Sequence, residues 1–237
     1  MSSPFPILVI NVSSEVARWR SICNQAISCG LSLQRVEAVE SRFVPKEELE
    51  FVTPFVRALW KSHIKCLEQF LKSNYSHAII AEDDFQIKSS KKLISTLQRS
   101  DIVAYDVVQL GWITPGLDNF LKRQYSNFEH WIFRIIYIVI SKCRPSSTTL
   151  KRLRVKHSGL APKGFVPDDF QPGTHFYLVS REFALAALKL NNPQFLAADD
   201  MYMALARMRS FKFIRVRKCL VSQEPIVKRK ERRFLNH

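Results

Sequence analysis

Three consecutive carboxylates, Glu82, Asp83 and Asp84, follow the short apolar run Ala78-Ile79-Ile80-Ala81. A buried strand does not tolerate three adjacent charges, so the triplet belongs at the strand's C-terminal mouth. In open α/β sheets that is where ligands bind. Carboxylate oxygens gathered there suit a hard cation, Mg²⁺ or Mn²⁺, and such an ion can clamp a diphosphate. Glu82 and Asp84 point to opposite sides of a strand that continues. The better pair is therefore Asp83 and Asp84 at the turn, with Asp84 the expected direct ligand and Glu82 completing the acidic set. A solvated acidic turn is the plain alternative that the motif leaves open. A second acidic pair, Asp199-Asp200, opens a stretch of helical spacing. Such a pair can serve as a general base. It can equally be an N-cap and a partner of the helix dipole.

The elements around these acids alternate. The run Ile7-Leu8-Val9-Ile10-Asn11-Val12 reads as a fully buried strand. Ser13 and Ser14 are N-cap candidates for a helix over residues 15–29, with Gly30 as its stop. Residues 33–39 form a second predicted strand, 54–73 a helix and 75–81 the strand feeding the triplet. A short helix is expected over 91–99 and a strand over 106–111. Residues 173–180 read as a strand, 181–190 and 195–208 as helices, and 211–221 as a late strand. This order predicts an α/β sandwich around a largely parallel sheet, one domain over residues 1–237. Residues 113–171 break the alternation and read as an insertion, and 228–237 as a basic tail.

The chain is basic, with a formal net charge of +15 over 237 residues. Residues 142–163 hold seven Lys/Arg and no acid, and residues 207–237 hold eleven against Glu224 and Glu231. These two stretches account for the whole excess. Basic segments on a neutral body attract polyanions: a membrane surface, a nucleic acid or phosphorylated glycans. A solvated face is the bland alternative. The five cysteines form no CxxC pair, which indicates neither a disulfide framework nor a zinc ribbon. Reduced thiols and an N-terminal stretch that reads as a strand, not a signal peptide, fit a cytoplasmic protein.

Five blocks occur together in one order: Ile7 to Val12 with Arg18, Lys61-Ser62-His63, Ala81 to Asp84, Gly173 to Ser180, and Ala198-Asp199-Asp200. This order resembles glycosyltransferase family 25, which includes lipooligosaccharide galactosyltransferases and collagen galactosyltransferases. The resemblance covers roughly residues 5–112 and 172–224. Ala81 stands where the family has Leu, and Ala198 where it has Val; neither change touches the chemistry. Residues 117–172 have no equivalent in the family pattern.

The resemblance implies a GT-A-like, Rossmann-type α/β/α sandwich acting on a nucleotide-diphosphate sugar, with a UDP-sugar such as UDP-galactose as donor. It implies Mn²⁺ or Mg²⁺ at Asp84, with Asp83 as second ligand or ribose contact. Asp199 or Asp200 becomes the candidate base of an inverting transfer onto a glycan or lipid-linked acceptor. Asn11 falls where uracil and ribose sit, and Arg18 is placed to meet a phosphate or a salt-bridge partner. Ser62 and His63 are expected to line the nucleotide pocket. His175 is expected beside the metal, the diphosphate or the acceptor.

Residues 131–140 carry a single charge, Arg134. Ten helical residues reach about 15 Å, half the roughly 30 Å bilayer core, so this segment cannot span a membrane. It can lie at an anionic surface with Trp131 and Tyr137 at headgroup level, or be buried. The rival to a peripheral glycosyltransferase is a nucleic-acid binder or metal-dependent nuclease. The basic residues avoid the acidic blocks, and no recognised nucleic-acid motif is present, which disfavours nucleic acid as a partner.

Overall fold

The computed structural model describes residues 3–44, 53–113, 161–190, 196–207 and 211–223. The apolar run 131–140, the basic stretch 142–160 and the basic tail 228–237 lie outside the described residues.

Apolar runs buried on both faces make the centre of the molecule. Strand β1 (Ile7–Asn11) is buried throughout, as is β7 (Phe176–Ser180), and β3 (His77–Glu82) is buried up to its last residue. With β2 (Leu33–Glu37), β5 (Val107–Gln109), β6 (Phe165–Pro167) and β8 (Phe213–Val216) they form a seven-stranded sheet of order β2-β1-β3-β7-β5-β8-β6. A separate two-stranded ribbon pairs β4 (Phe85–Ile87) with β9 (Val221–Gln223).

Helices flank both faces. α1 (Val16–Ser28) and α3 (Ser90–Leu97) pack Ile22, Ala26, Leu93 and Leu97 with Ile7, Val9, Ile79 and Leu178. On the other face lie α2 (Pro54–Leu71), α4 (Arg181–Ala187) and α5 (Ala198–Arg207). They bring Trp60, Leu67, Phe183 and Tyr202 onto Leu8, Ile10, Ile80 and Val179. Alternate residues of one strand thus serve opposite cores, as the two-residue period requires. Thr53 caps α2 with Pro54 at its first turn, Ser89 caps α3 and Ser180 caps α4.

The α/β expectation holds, with five of the seven strands running in one direction, but the sheet is mixed. Strands β1, β2, β3, β5 and β8 share one direction. β7 runs against both β3 and β5 in the middle of the sheet, and β6 runs against β8 at its edge. A strand buried on both faces reads the same in either direction, so its apolar run does not reveal its polarity. β6 lies inside the stretch that reads as an insertion. Its Pro167 donates no ladder hydrogen bond, which suits an edge strand. The single late strand expected over 211–221 is two strands, β8 in the main sheet and β9 in the ribbon. Neither Ser13 nor Ser14 caps α1: Glu15 holds that position without a side-chain cap, and Ser13 Oγ donates to Glu37 instead.

Among the described residues no helix is long and apolar enough to cross a membrane. Cys23, Cys29, Cys66 and Cys219 are free thiols.

Candidate functional site

The chain leaves β1 to one side to form β2 and is on its other side when it forms β3. The C-terminal ends of β1 and β3 therefore flank a topological switch point, the place where open α/β sheets bind ligands. Asn11 ends β1, Glu82 ends β3, and Asp83 and Asp84 form the turn that follows it. β7 enters this same edge from the opposite direction, bringing Gly173, Thr174 and His175 beside them.

The three adjacent carboxylates diverge. Asp83 turns to β1 and α1: Asn11 Nδ2 donates to its Oδ2 at 2.6 Å, and Arg18 Nη1 lies 3.2 Å from its Oδ1. Burial raises the Asp83 carboxyl above its usual range, and Arg18 and Asn11 offset only part of that. Glu82 turns toward β7 and α2. It accepts from Thr174 Oγ1 at 2.7 Å, and His63 Nε2 stands 3.6 Å from the same oxygen. Burial alone would raise this carboxyl, but His63, Thr174 and His175 outweigh it and hold Glu82 below its ordinary value. Asp84, buried at 6 % exposure, accepts from Gln223 Nε2 of the ribbon at 3.1 Å. Among the described residues no three His, Cys, Asp or Glu side chains gather as a metal cage. A cation here would have to draw most of its shell from phosphate and water, with Asp84 the carboxylate that could hold it.

Asp199 reaches this edge from the first turn of α5. Its Oδ2 accepts from the Gly173 backbone N–H at 3.2 Å and its Oδ1 from the N–H of Asp200 at 3.1 Å. The turn 173–175 therefore touches both acidic blocks, Asp199 through Gly173 and Glu82 through Thr174. Asp199 and Asp200 are both half-buried.

The remaining expected site residues are buried in the frame. Ser62 Oγ donates to the Ala58 carbonyl and accepts from the Val39 N–H, both at 2.8 Å, so it ties the exit of β2 to α2. His63 is fully buried, with Nδ1 3.0 Å from the Tyr177 hydroxyl, which in turn lies 3.0 Å from that of Tyr202. A buried polar chain thus runs from α5 through β7 and α2 to Glu82. His175 is fully buried, and its Nε2 donates to the Val221 carbonyl at 3.2 Å. Its ring packs so tightly that a Cβ on Gly111 would lie 2.9 Å from Nε2, and one on Gly173 2.9 Å from Nδ1.

Two participants, Gln109 and Gln223, escape a reading of the sequence, and Thr174 enters it only as a member of the 173–180 block. Gln109 carried a signal, as a lone amide in the apolar run Val107-Val108-Gln109-Leu110, because a buried polar side chain requires partners. Gln223 carried none, since its role depends on the pairing of β4 with β9.

No protein-family model matches the chain, and no curated protein matches it.

Proposed function

We propose that this chain is a metal-dependent, nucleotide-sugar glycosyltransferase of GT-A-like architecture. It moves a hexose, galactose from UDP-galactose in the simplest case, with inversion onto a glycan or lipid-linked saccharide. The observation that carries this reading is the meeting of sequence blocks 92 and 26 residues apart at one switch point, with Thr174 donating to Glu82 and Gly173 to Asp199. The order of these same blocks, which resembles family 25, is the source of the donor and the reaction in this reading.

In this reading Asp84 is the protein's ligand to Mn²⁺ or Mg²⁺, oriented by Gln223. The ion, when bound, neutralises charge on the departing diphosphate. Asp83, held by Asn11 and Arg18, lies on the β1 and α1 side of the site, where this reading puts the nucleotide. Asp199 accepts the proton of the acceptor hydroxyl, its carboxylate fixed by two backbone N–H donors. Glu82 serves as the internal strut between β3, α2 and β7 and not as a ligand to the ion. The basic stretches are suited to an anionic membrane surface carrying the acceptor, consistent with a peripheral cytoplasmic enzyme.

The test is UDP or other nucleotide release from a panel of nucleotide sugars, with Mn²⁺ and with chelator, for the wild type and Asp84→Ala. Metal-dependent release from one donor, lost in the variant, supports the reading and names the donor. Absence of turnover, with no metal-dependent UDP binding, overturns it. Tight, steeply salt-dependent binding to duplex DNA in the same preparation would favour the nucleic-acid alternative.

A further inference from the structure

Gln109 is fully buried at the end of β5, in the interior of the sheet, and none of its side-chain hydrogen bonds goes to an acidic residue. Every hydrogen bond of its amide goes to one short segment. Nε2 donates to the Gln171 carbonyl at 2.7 Å and the Gly173 carbonyl at 3.0 Å, and Oε1 accepts from the Gln171 N–H at 2.8 Å. An amide has two donor hydrogens and one acceptor oxygen, so the side chain is committed entirely to residues 171–173. That segment is the one whose next hydrogen bonds reach both acidic blocks. Gly173 donates to Asp199, and Thr174 donates to Glu82. The backbone there is set by Gly173 at φ 105°, a conformation other residues avoid. The neighbouring side chains leave no slack, since a Cβ on Gly173 would lie 3.0 Å from Ile113 Cγ1 and closer still to His175.

We infer that Gln109 is a positioning residue for the transfer: it fixes the 171–173 backbone and thereby sets where the Asp199 carboxylate stands relative to the end of β3. It contacts neither donor nor acceptor. The catalytic half of this inference rests on the proposed glycosyltransferase reading; the positional half does not. A misplacement of about 1 Å at a reacting group costs on the order of a hundredfold in rate, so loss of the clamp is read in turnover as well as in stability.

The experiment uses ¹⁵N-glycine labelling of the full chain, which has only six glycines. Asp199→Asn identifies the Gly173 amide as the peak it displaces. Gln109→Met, close in shape but without the amide, is then compared with the wild type. The inference expects the same peak to move while those of Gly30 and Gly164 stay. It also expects kcat to fall about 10- to 100-fold with the donor KM unchanged. Should Gln109→Met not fold, Gln109→Asn, one methylene shorter, replaces it under the same expectations. A Gly173 peak unmoved in the variant, or a moved peak with unchanged kcat, overturns the inference. If the wild type turns over no nucleotide sugar, the functional reading fails, and the Gly173 peak alone decides whether Gln109 holds this turn.

Discussion

Thr174 Oγ1 donates to Glu82 Oε1 at 2.7 Å, joining the entry of β7 to the exit of β3 across 92 residues of sequence. The backbone repeats the link, with the Glu82 N–H donating to the His175 carbonyl at 3.2 Å. Two antiparallel neighbours thus meet at the switch point with a charge-assisted bond between them. Thr174 is 3 % exposed, so Thr174→Val keeps the volume and removes only the hydroxyl. The expected loss of stability is about 1–3 kcal/mol, the cost of leaving a buried carboxylate oxygen without its donor. Urea denaturation at pH 7 measures it. A change confined to a few tenths of a kcal/mol would mean that His63 alone holds Glu82.

How much of this was readable from residues alone depends on what each residue needs. The runs that became β1, β3 and β7 were legible because burial on both faces demands unbroken apolar sequence. Their acidic terminus was legible because such a strand cannot continue into charge. The direction of β7 was not, because Phe176 to Ser180 would pack equally well either way. The short strands β4 and β6 were hidden for another reason: three residues carry no period, and pairing alone defines them. The divergence of Glu82, Asp83 and Asp84 was half legible. Alternation separates Glu82 from Asp84, but no local pattern announces that Asn11, Thr174 and Gln223 claim one carboxylate each.

Gly111 stands where β5 ends and bridges to Val221 of the ribbon. A Cβ there would lie 2.4 Å from the Val221 carbonyl oxygen, and backbone cannot give way as a flexible side chain does. Gly111→Ala should cost about 1–3 kcal/mol through overpacking. It should also disturb the ribbon that carries Gln223 and, in the proposed glycosyltransferase reading, weaken metal-dependent nucleotide release beyond the stability loss. Unfolding midpoints together with Mn²⁺ titration of nucleotide release check both parts. An unchanged midpoint would show that β9 moves aside freely.

Arg18 sits on α1 with its guanidinium 3.2 Å from Asp83 and is 19 % exposed at the side chain, against 11 % for the carboxylate. A pair this sheltered is costly to break from one side, because the remaining charge stays poorly hydrated. Arg18→Gln is expected to lose about 1–3 kcal/mol at neutral pH, while Asp83→Asn in the same background should recover part of it. A double-mutant cycle by chemical denaturation isolates the coupling. A coupling energy near zero would place Arg18 among the ordinary surface arginines, free to meet a phosphate instead.

His77 lies at the far end of β3, away from the acidic edge, and gives a pH dependence separable from the site. Its Nε2–H donates to the Tyr105 carbonyl at 3.3 Å and its Nδ1 is 3.1 Å from Ser76 Oγ, with the Phe5 ring alongside. Burial lowers its pKa below the ordinary histidine value, and the Tyr105 carbonyl and Asp106 offset only part of this. A folded value below the unfolded one means the unfolded chain binds the proton more readily in that interval. The stabilising contribution is therefore present above the ordinary histidine value and is lost as pH falls through the folded one. His77→Gln retains a donor for Tyr105 and removes the titration. Urea unfolding at pH 7.5 and pH 5.5 should show a smaller loss on acidification for the variant than for the wild type. Equal losses would show that His77 does not set the acid sensitivity.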